Sequence, residues 1–534
     1  MTINKISRTP GQKVTYVLLG FIAFISFVCL SPKWTMPVFA WIGPVCLLGL
    51  FRGVGVKYGI IWVFLIQLSS GLIANFGSVP FPVPVFVIIM IMASFQGLVP
   101  YLLDTYGKRY IKGWVSTLIF PSAWVLIDYF TSFGPSGVWG HLANTQYSFS
   151  LFIQWASVTG VWGISFMLYW FAPVVNDAVA SYRAGNTPAL SAKVYSVAIS
   201  LILIFGAVRL TNSTESGAPS VKVAAITTQS LHILETTYEA AFGNTIRLST
   251  ELSQASPELA EASKATLALL SSPDESRFLP VYQAFDHQLE MYFELSEHAV
   301  RAGAQVVVWS EAAIINVKKN EPAYIEQAQA FAKRHSIYLF FPMAIMHPEA
   351  YAKGRPFMEN KVLTINPMGE VVHTYLKNVP VKGIEPSIPG DGDIPIITTP
   401  YGKISPAICY DADFPSLMSQ LGQKDTQLVV IPSGDWKAIS PYHSYMASIR
   451  AIENGTAMVR PTSHGLHLIT DAYGRVLAKD DFFEDDHHTL IVDVPIISVK
   501  TWYTTLGDVV PLVCGLVLVS LFVRGVYLFR RRTA

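Results

Sequence analysis

The chain has 534 residues, a formal net charge of +1, 51% hydrophobic residues and only 14% charged ones. So apolar a composition excludes an ordinary soluble globular protein, and a membrane protein is expected. A charge near neutrality, with no Lys/Arg block interleaved with aromatics, also leaves no footprint for nucleic acid.

Apolar runs lie near 14–31, 35–52, 58–77, 82–103, 114–133, 155–175 and 194–211, and an eighth at 505–528. Each approaches the roughly 20 residues a helix needs to cross a hydrocarbon core. The first run lacks a clean small-residue cleavage site and others follow it, so it reads as a span and not as a cleaved leader. Lys5, Arg8 and Lys13 precede it, Arg52 and Lys57 follow the second span, and Lys108, Arg109 and Lys112 follow the fourth. Arg183 and Lys193 follow the sixth, and Arg530, Arg531 and Arg532 end the chain. Every second loop is thus basic, which places both termini in the cytoplasm and the long polar stretch outside. In a two-membrane bacterium that side is the periplasm, an oxidising compartment. The expected organisation is a seven-span bundle over 1–211, an extramembrane domain over 212–502, and a final span with a basic tail over 503–534.

Within the polar stretch, Val/Ile-rich runs predict strands at 221–229, 305–309, 338–345, 361–366, 402–410, 427–433, 457–462, 467–471 and 489–494. Helices are expected over 285–302, 322–335 and 443–454. The alternation suits a layered α/β fold with apolar strands between helices. Asn366-Pro367-Met368-Gly369 and Asp471-Ala472-Tyr473-Gly474 have the chemistry of hairpin turns. Residues 232–284 are polar, helical in tendency and without an obvious strand, as an insertion would be. Gly390-Asp391-Gly392-Asp393 and Glu484-Asp485-Asp486-His487-His488 are acidic patches. The paired histidines read as a solvated loop, since neighbours on a regular strand face opposite ways and cannot share one metal.

Cys409 is the only cysteine between residues 212 and 502, whereas Cys29, Cys46 and Cys514 lie inside apolar runs. It ends the run Gly-Lys-Ile-Ser-Pro-Ala-Ile-Cys, where a buried strand opens into a loop, and it has no disulfide partner in its own domain. Glu311 ends Val-Val-Val-Trp-Ser, and Lys377 ends Val-Val-His-Thr-Tyr-Leu. Strand ends on one side of an α/β sheet are where distant side chains converge. A carboxylate can take the thiol proton, and an ammonium can favour the thiolate and hold an oxyanion, with the Tyr410 N–H as second donor. Together the three groups can perform acyl transfer. A papain-like pairing of Cys409 with His335, His373, His443 or His464 has no local motif to support it.

The segments Val-Val-Val-Trp-Ser-Glu311, Tyr-Leu-Lys377 and Ile-Cys409-Tyr-Asp-Ala-Asp-Phe-Pro resemble the signatures of the nitrilase superfamily. That resemblance implies a Glu-Lys-Cys triad on an α-β-β-α sandwich. With its flanking spans, and with Pro121 to Asp128, Gly134 to Gln146 and Gln154 to Phe166, the chain is similar to the apolipoprotein N-acyltransferase family. By resemblance, Glu311 is the base, Lys377 the oxyanion stabiliser and Cys409 the acyl carrier. Tyr410 and Trp436 match a tyrosine after the nucleophile and a tryptophan in a flexible loop. The family's glutamate two residues after the cysteine is Asp411 here. The loop after Lys377 also departs from the family run, although Glu385 keeps the offset of a bracing second glutamate. The resemblance implies neither metal nor cofactor. It implies a phosphatidylethanolamine-like donor and a diacylglyceryl-cysteine lipoprotein as acceptor in the bacterial inner membrane. A membrane-tethered amidase or nitrilase is the alternative suggested by the altered loop.

Overall fold

The computed structural model describes residues 9–187, 189–211, 219–228, 231–249, 251, 256–484 and 488–533. Lys5, Arg8, the expected boundary at 212, Gln229, Asp485, Asp486, His487 and the Arg531 and Arg532 side chains lie outside the described residues.

Among the described residues, six helices are long and apolar enough to cross a membrane: Pro10–Val28, Val56–Asn75, Val83–Gly107, Ala156–Arg183, Leu190–Thr211 and Val509–Tyr527. The other two expected spans are shorter helices, Phe39–Val54 with 16 residues and Ile119–Thr131 with 13. Glycines set these limits. Gly55 at φ 80° closes the first, and Gly113 at φ 78° opens a 3-10 turn, Trp114–Leu118, that leads into the second. At about 1.5 Å per residue, neither alone matches a hydrocarbon core of about 30 Å. Val17, Phe21, Ile88, Leu201, Leu516 and Phe522 are exposed on the outer faces, as lipid contact requires. Arg52 grips Asp104 with two hydrogen bonds of 2.8 Å and reaches Asp177 at 2.9 Å, where Lys108 also binds at 2.5 Å. Arg52 and Lys108, from the basic segments after the second and fourth expected spans, therefore tie the bundle's helices together.

Among the described residues the polar stretch folds into two large facing sheets and a short pair, Ser433–Gly434 with Thr462–Ser463. The first runs Thr489–Pro495, Ser220–Ile226, Val306–Trp309, Tyr338–Met346, Met358–Ile365, Val371–Leu376, with Ile314–Val317 beside Tyr338–Met346. The second runs Val476–Asp481, Leu466–Thr470, Ala457–Arg460, Leu428–Val430, Gly402–Pro406, Ile397–Thr399. Pairing is parallel at both centres and antiparallel at the hairpins. Period-2 alternation builds the layers. Val306 and Val308 point between the sheets against Ile404, Val430 and Val459, while Val307 and Trp309 point outward. Helices Leu279–Arg301 and Glu321–His335 cover that outer face, and Pro415–Gln423 and Tyr442–Asn454 cover the other sheet. This is the α-β-β-α arrangement. The Asn366 and Asp471 turns close their hairpins as expected, through Gly369 N–H to the Asn366 carbonyl at 2.9 Å and Gly474 N–H to the Asp471 carbonyl at 3.0 Å.

The suspected insertion contributes helices Leu231–Phe242 and Pro257–Ser271, whose Ile233, Leu269 and Leu270 join the core under Leu279–Arg301. One correction concerns His488. Its ring stacks on Phe482 with centroids 4.5 Å apart, so the described end of that acidic patch is packed and not solvated.

Helix Tyr442–Asn454 joins the two halves of the molecule. Ala447 and Ala451 pack on the second sheet, while Met446, Ile449 and Ile452 belong to the core of the helical bundle. Tyr445 stacks on Tyr147 at 4.4 Å, and Glu453 accepts the Val161 N–H at 2.6 Å. Tight contact of the glycine-rich loop completes the junction. Val138 N–H donates to the Asp413 carbonyl at 2.9 Å, and a Cβ on Gly137 would lie 2.4 Å from that oxygen.

Candidate active site

Three strand ends bring Glu311, Lys377 and Cys409 together, as their positions in the sequence predict. Lys377 is fully buried and donates to Glu311 Oε1 at 2.9 Å and to Glu385 Oε1 at 2.5 Å. Asn360 Nδ2 also donates to Glu311 Oε1, at 2.7 Å, and the Gly434 N–H donates to Oε2 at 2.9 Å. Both carboxylate oxygens of Glu311 are therefore aimed by fixed donors. The Cys409 thiol is 6% exposed and donates weakly to the Gly434 carbonyl, with Sγ 3.7 Å away. One residue, Gly434, thus touches both the acid group, through its N–H, and the sulfur, through its carbonyl.

Local backbone explains the presentation of the thiol. Cys409 has φ 43°, in the left-handed region that a non-glycine residue adopts only when its surroundings hold it there. Cys409 N–H donates to the Pro432 carbonyl at 2.9 Å, and Asp411 Oδ2 accepts from the Ile408 N–H at 3.0 Å. Asp411 also accepts from Tyr375 Oη at 2.7 Å and from the Val379 N–H at 2.8 Å. The shorter acid therefore staples the Cys409 turn to the start of the altered loop. Glu385 ends that loop and receives the Val381 N–H at 3.3 Å.

Electrostatics follow from burial and pairing. Burial depresses an ammonium, but Glu311 and Glu385 outweigh it and hold Lys377 well above the ordinary lysine range. Burial and the neighbouring Glu311 push the Cys409 thiol well up, against the pull of Lys377. Glu385 is raised by burial and by Glu311, with Lys377 opposing. Burial lifts Asp411 to about 6. The surroundings of Cys409 thus favour its neutral thiol over the thiolate.

Of the supporting residues, Tyr410 sends its hydroxyl to the Pro135 carbonyl, away from the sulfur and toward the helical bundle. Trp436 Nε1 donates to the Gly77 carbonyl at 2.7 Å, joining the loop after Asp435 to the bundle. Asn360 and Gly434 were not singled out from the sequence. The available signal for Asn360 was a polar side chain on the same strand face as the inward-pointing Val362. His443, considered above only as a papain-like partner, has a ring nitrogen within 4.8 Å of Sγ, yet both its nitrogens face carboxylates, Asp435 at 2.7 Å and Asp413 at 2.9 Å. It has no free nitrogen with which to accept the thiol proton.

A carboxylate, an ammonium and a thiol at the strand ends of an α-β-β-α sandwich define a domain of the carbon-nitrogen hydrolase type, and the carbon-nitrogen hydrolase model matches residues 266–504. The apolipoprotein N-acyltransferase N-terminal domain model matches residues 20–174. The chain is 25% identical over 500 residues to the apolipoprotein N-acyltransferase of Geobacter metallireducens, covering 88% of this chain and 84% of that protein. It is 23% identical to apolipoprotein N-acyltransferase 1 of Treponema denticola, covering 94% and 95%. A solved amidase from Nesterenkonia sp. has 20% identity and a TM-score of 0.33, over 41% of this chain and 86% of that one. The chain is thus similar to apolipoprotein N-acyltransferases over most of its length.

Proposed function

We propose that this membrane enzyme is an N-acyltransferase that moves an acyl chain from a phospholipid to the α-amino group of a diacylglyceryl-cysteine lipoprotein, through a thioester on Cys409. The observation that carries this reading is a Glu-Lys-Cys cluster packed directly on a lipid-facing bundle through helix Tyr442–Asn454.

In the first half-reaction a Glu311 oxygen takes the Cys409 proton as Sγ attacks the ester carbonyl. Lys377 and the Tyr410 N–H hold the oxyanion. The C–O bond to glycerol then breaks, Glu311 returns its proton to the leaving alkoxide, and lysophospholipid departs. In the second half-reaction the lipoprotein amine attacks the thioester, Glu311 takes a proton from nitrogen, the C–S bond breaks and the sulfur is reprotonated. Asn360 and Gly434 keep Glu311 in place throughout, and Glu385 braces Lys377.

The lipid substrate follows from physics. Each CH₂ taken out of an apolar medium costs about 0.8 kcal/mol, so the acyl tail stays in the bilayer while its ester reaches the sulfur. The arrangement proposed has eight crossings, the two short helices spanning with their flanking residues. Both termini are cytoplasmic and the sandwich is on the periplasmic face of an inner membrane.

The test is to incubate the purified protein in bilayers with acyl-labelled phosphatidylethanolamine and map the label. Hydroxylamine-labile label on the Cys409 peptide, discharged by a diacylglyceryl-cysteine peptide to a stable amide, is expected. A wild-type protein that stays unlabelled, or that releases only free fatty acid with the amine present, excludes the transfer.

A further inference from the structure

Beside Cys409 lies a second buried ionic cluster that the steps above do not use. Its members are Asp413 after the nucleophile, Asp435 after Gly434, His443 in the first turn of helix Tyr442–Asn454, and Arg460 at the end of strand Ala457–Arg460. Their side chains are at most 5% exposed. His443 Nδ1 lies 2.7 Å from Asp435 Oδ1 and Nε2 lies 2.9 Å from Asp413 Oδ1. A carboxylate only accepts, so both ring nitrogens carry protons and the imidazole is a cation. Arg460 Nη2 approaches Nδ1 at 2.9 Å, but the closer carboxylate takes the Nδ1 proton, and Arg460 binds Asp435 itself at 3.1 and 3.2 Å. Two anions and two cations leave the cluster neutral.

Its position ties it to the reacting groups. Cys409 Sγ, Asp435 and His443 offer ligand atoms within 4.8 Å of one another. That is also the spacing of a metal site, but His443 and Arg460 already occupy both Asp435 oxygens. Asp435 and Arg460 act on the sulfur with opposite signs. Asp435 directly follows Gly434, which holds Glu311 at 2.9 Å and accepts from Sγ at 3.7 Å. At the far end, the Asp413 carbonyl receives the Val138 N–H from the bundle's glycine-rich loop. Trp139 packs edge-on to the His443 ring at 6.0 Å.

We propose that the Asp413–His443–Asp435–Arg460 cluster is a charge-balanced bracket, anchored on the membrane bundle, that sets the reactivity of the Cys409 sulfur independently of Lys377, with His443 as its deciding positioning residue. Removing the imidazolium leaves a surplus anion beside the sulfur and disfavours the thiolate. Removing the Asp413 charge leaves a surplus cation and favours it. The other groups facing the sulfur, Glu311, Lys377 and Tyr410, are unchanged by either substitution.

This inference rests on Cys409 being the reactive thiol. Its test is alkylation of the full-length protein in bilayers with iodoacetamide across pH, followed on the Cys409 peptide. No acyl donor is involved, so the result stands apart from the acyl-transfer reading. His443→Gln is expected to move the alkylation profile up by about one pH unit, with a rate at neutral pH about tenfold lower. Asp413→Asn is expected to move it down and accelerate the reaction, and the double variant to return near wild type. Profiles that move the same way in both single variants, or do not move, overturn the proposal. Should His443→Gln fail to fold, the direction of the Asp413→Asn shift decides alone.

Discussion

The two ionic clusters around Cys409 differ in balance and in access. Glu311, Lys377 and Glu385 place two carboxylates on one ammonium, with side chains 9%, 0% and 19% exposed. Asp413, Asp435, His443 and Arg460 place two anions against two cations in a sealed interior. The unbalanced, partly open cluster can shift a proton to or from a substrate. The balanced one is held by complete pairing, and losing any member leaves a buried charge uncompensated. The contrast teaches that net charge and access, not ion pairing alone, separate groups that react from groups that hold.

The largest effects belong to the open cluster. Cys409→Ala removes the site of covalent attachment, so labelled phospholipid leaves no hydroxylamine-labile adduct. Glu311→Gln keeps the side chain's shape but cannot take a proton, and single-turnover acylation is expected to fall by about 10²–10⁴-fold. Lys377→Met is expected to cost about 10²–10³-fold in the same assay through loss of the oxyanion donor. Equal rates in Lys377→Met and wild type would remove the ammonium from the chemistry.

A paired experiment tests the contrast in balance directly. Asp435→Asn strips one anion from a sealed neutral set and is expected to destabilise folding by about 3–5 kcal/mol. Glu385→Gln removes a surplus anion from the open set, leaves Glu311 with Lys377, and is expected to cost less than about 1 kcal/mol. Denaturant unfolding in detergent measures both. Similar costs would break the distinction.

The candidate trio was legible because each member ends an apolar run, and because carboxylate, ammonium and thiol in that order along the chain have few other uses. The sheets were legible for the same reason: Val306 to Trp309 and Leu428 to Val430 are unbroken apolar strands. What escaped depends on contacts remote in sequence. Asn360, one residue before the expected strand 361–366, has no evident role until Glu311 is placed beside it, 49 positions away. Asp435 and Arg460 carry no signal of their own in the sequence and are joined only in the fold, where both meet His443. Strand Val476–Asp481 carries Lys479, Asp480 and Asp481 at the sheet edge, so no apolar alternation marks it. The count of crossings was less legible because hydropathy does not register Gly55 or Gly113, whose backbone conformations cut two helices short.

The sealed cluster also has a pH signature. Burial lowers the His443 pKa, but Asp435 and Asp413 more than reverse this and raise it from 6.5 to about 9. The folded state therefore binds the proton more tightly than the unfolded chain. The resulting stabilisation is full below 6.5 and is lost as pH rises through about 9. Unfolding free energy should decline across that window in the wild type by an amount on the order of a few kcal/mol, and the His443→Gln variant should lack the decline. A wild-type curve parallel to that of the variant would show that the imidazole is not charged in the fold.

The smallest effect lies where the two halves meet. Trp436 presents its ring to the junction and donates Nε1–H to the Gly77 carbonyl at 2.7 Å, while Ser78 Oγ donates to the Ala438 carbonyl at 2.9 Å. Trp436→Phe keeps most of the ring contact and removes one neutral hydrogen bond, a net loss of about 0.5–1.5 kcal/mol. That corresponds to a few-fold rise in local opening, because about 1.4 kcal/mol is tenfold in an equilibrium. Amide hydrogen exchange across residues 436–440 should quicken by this factor while exchange in strand Leu428–Val430 stays unchanged. Equal acceleration in both would mean that Trp436 supports the whole sandwich and not the junction alone.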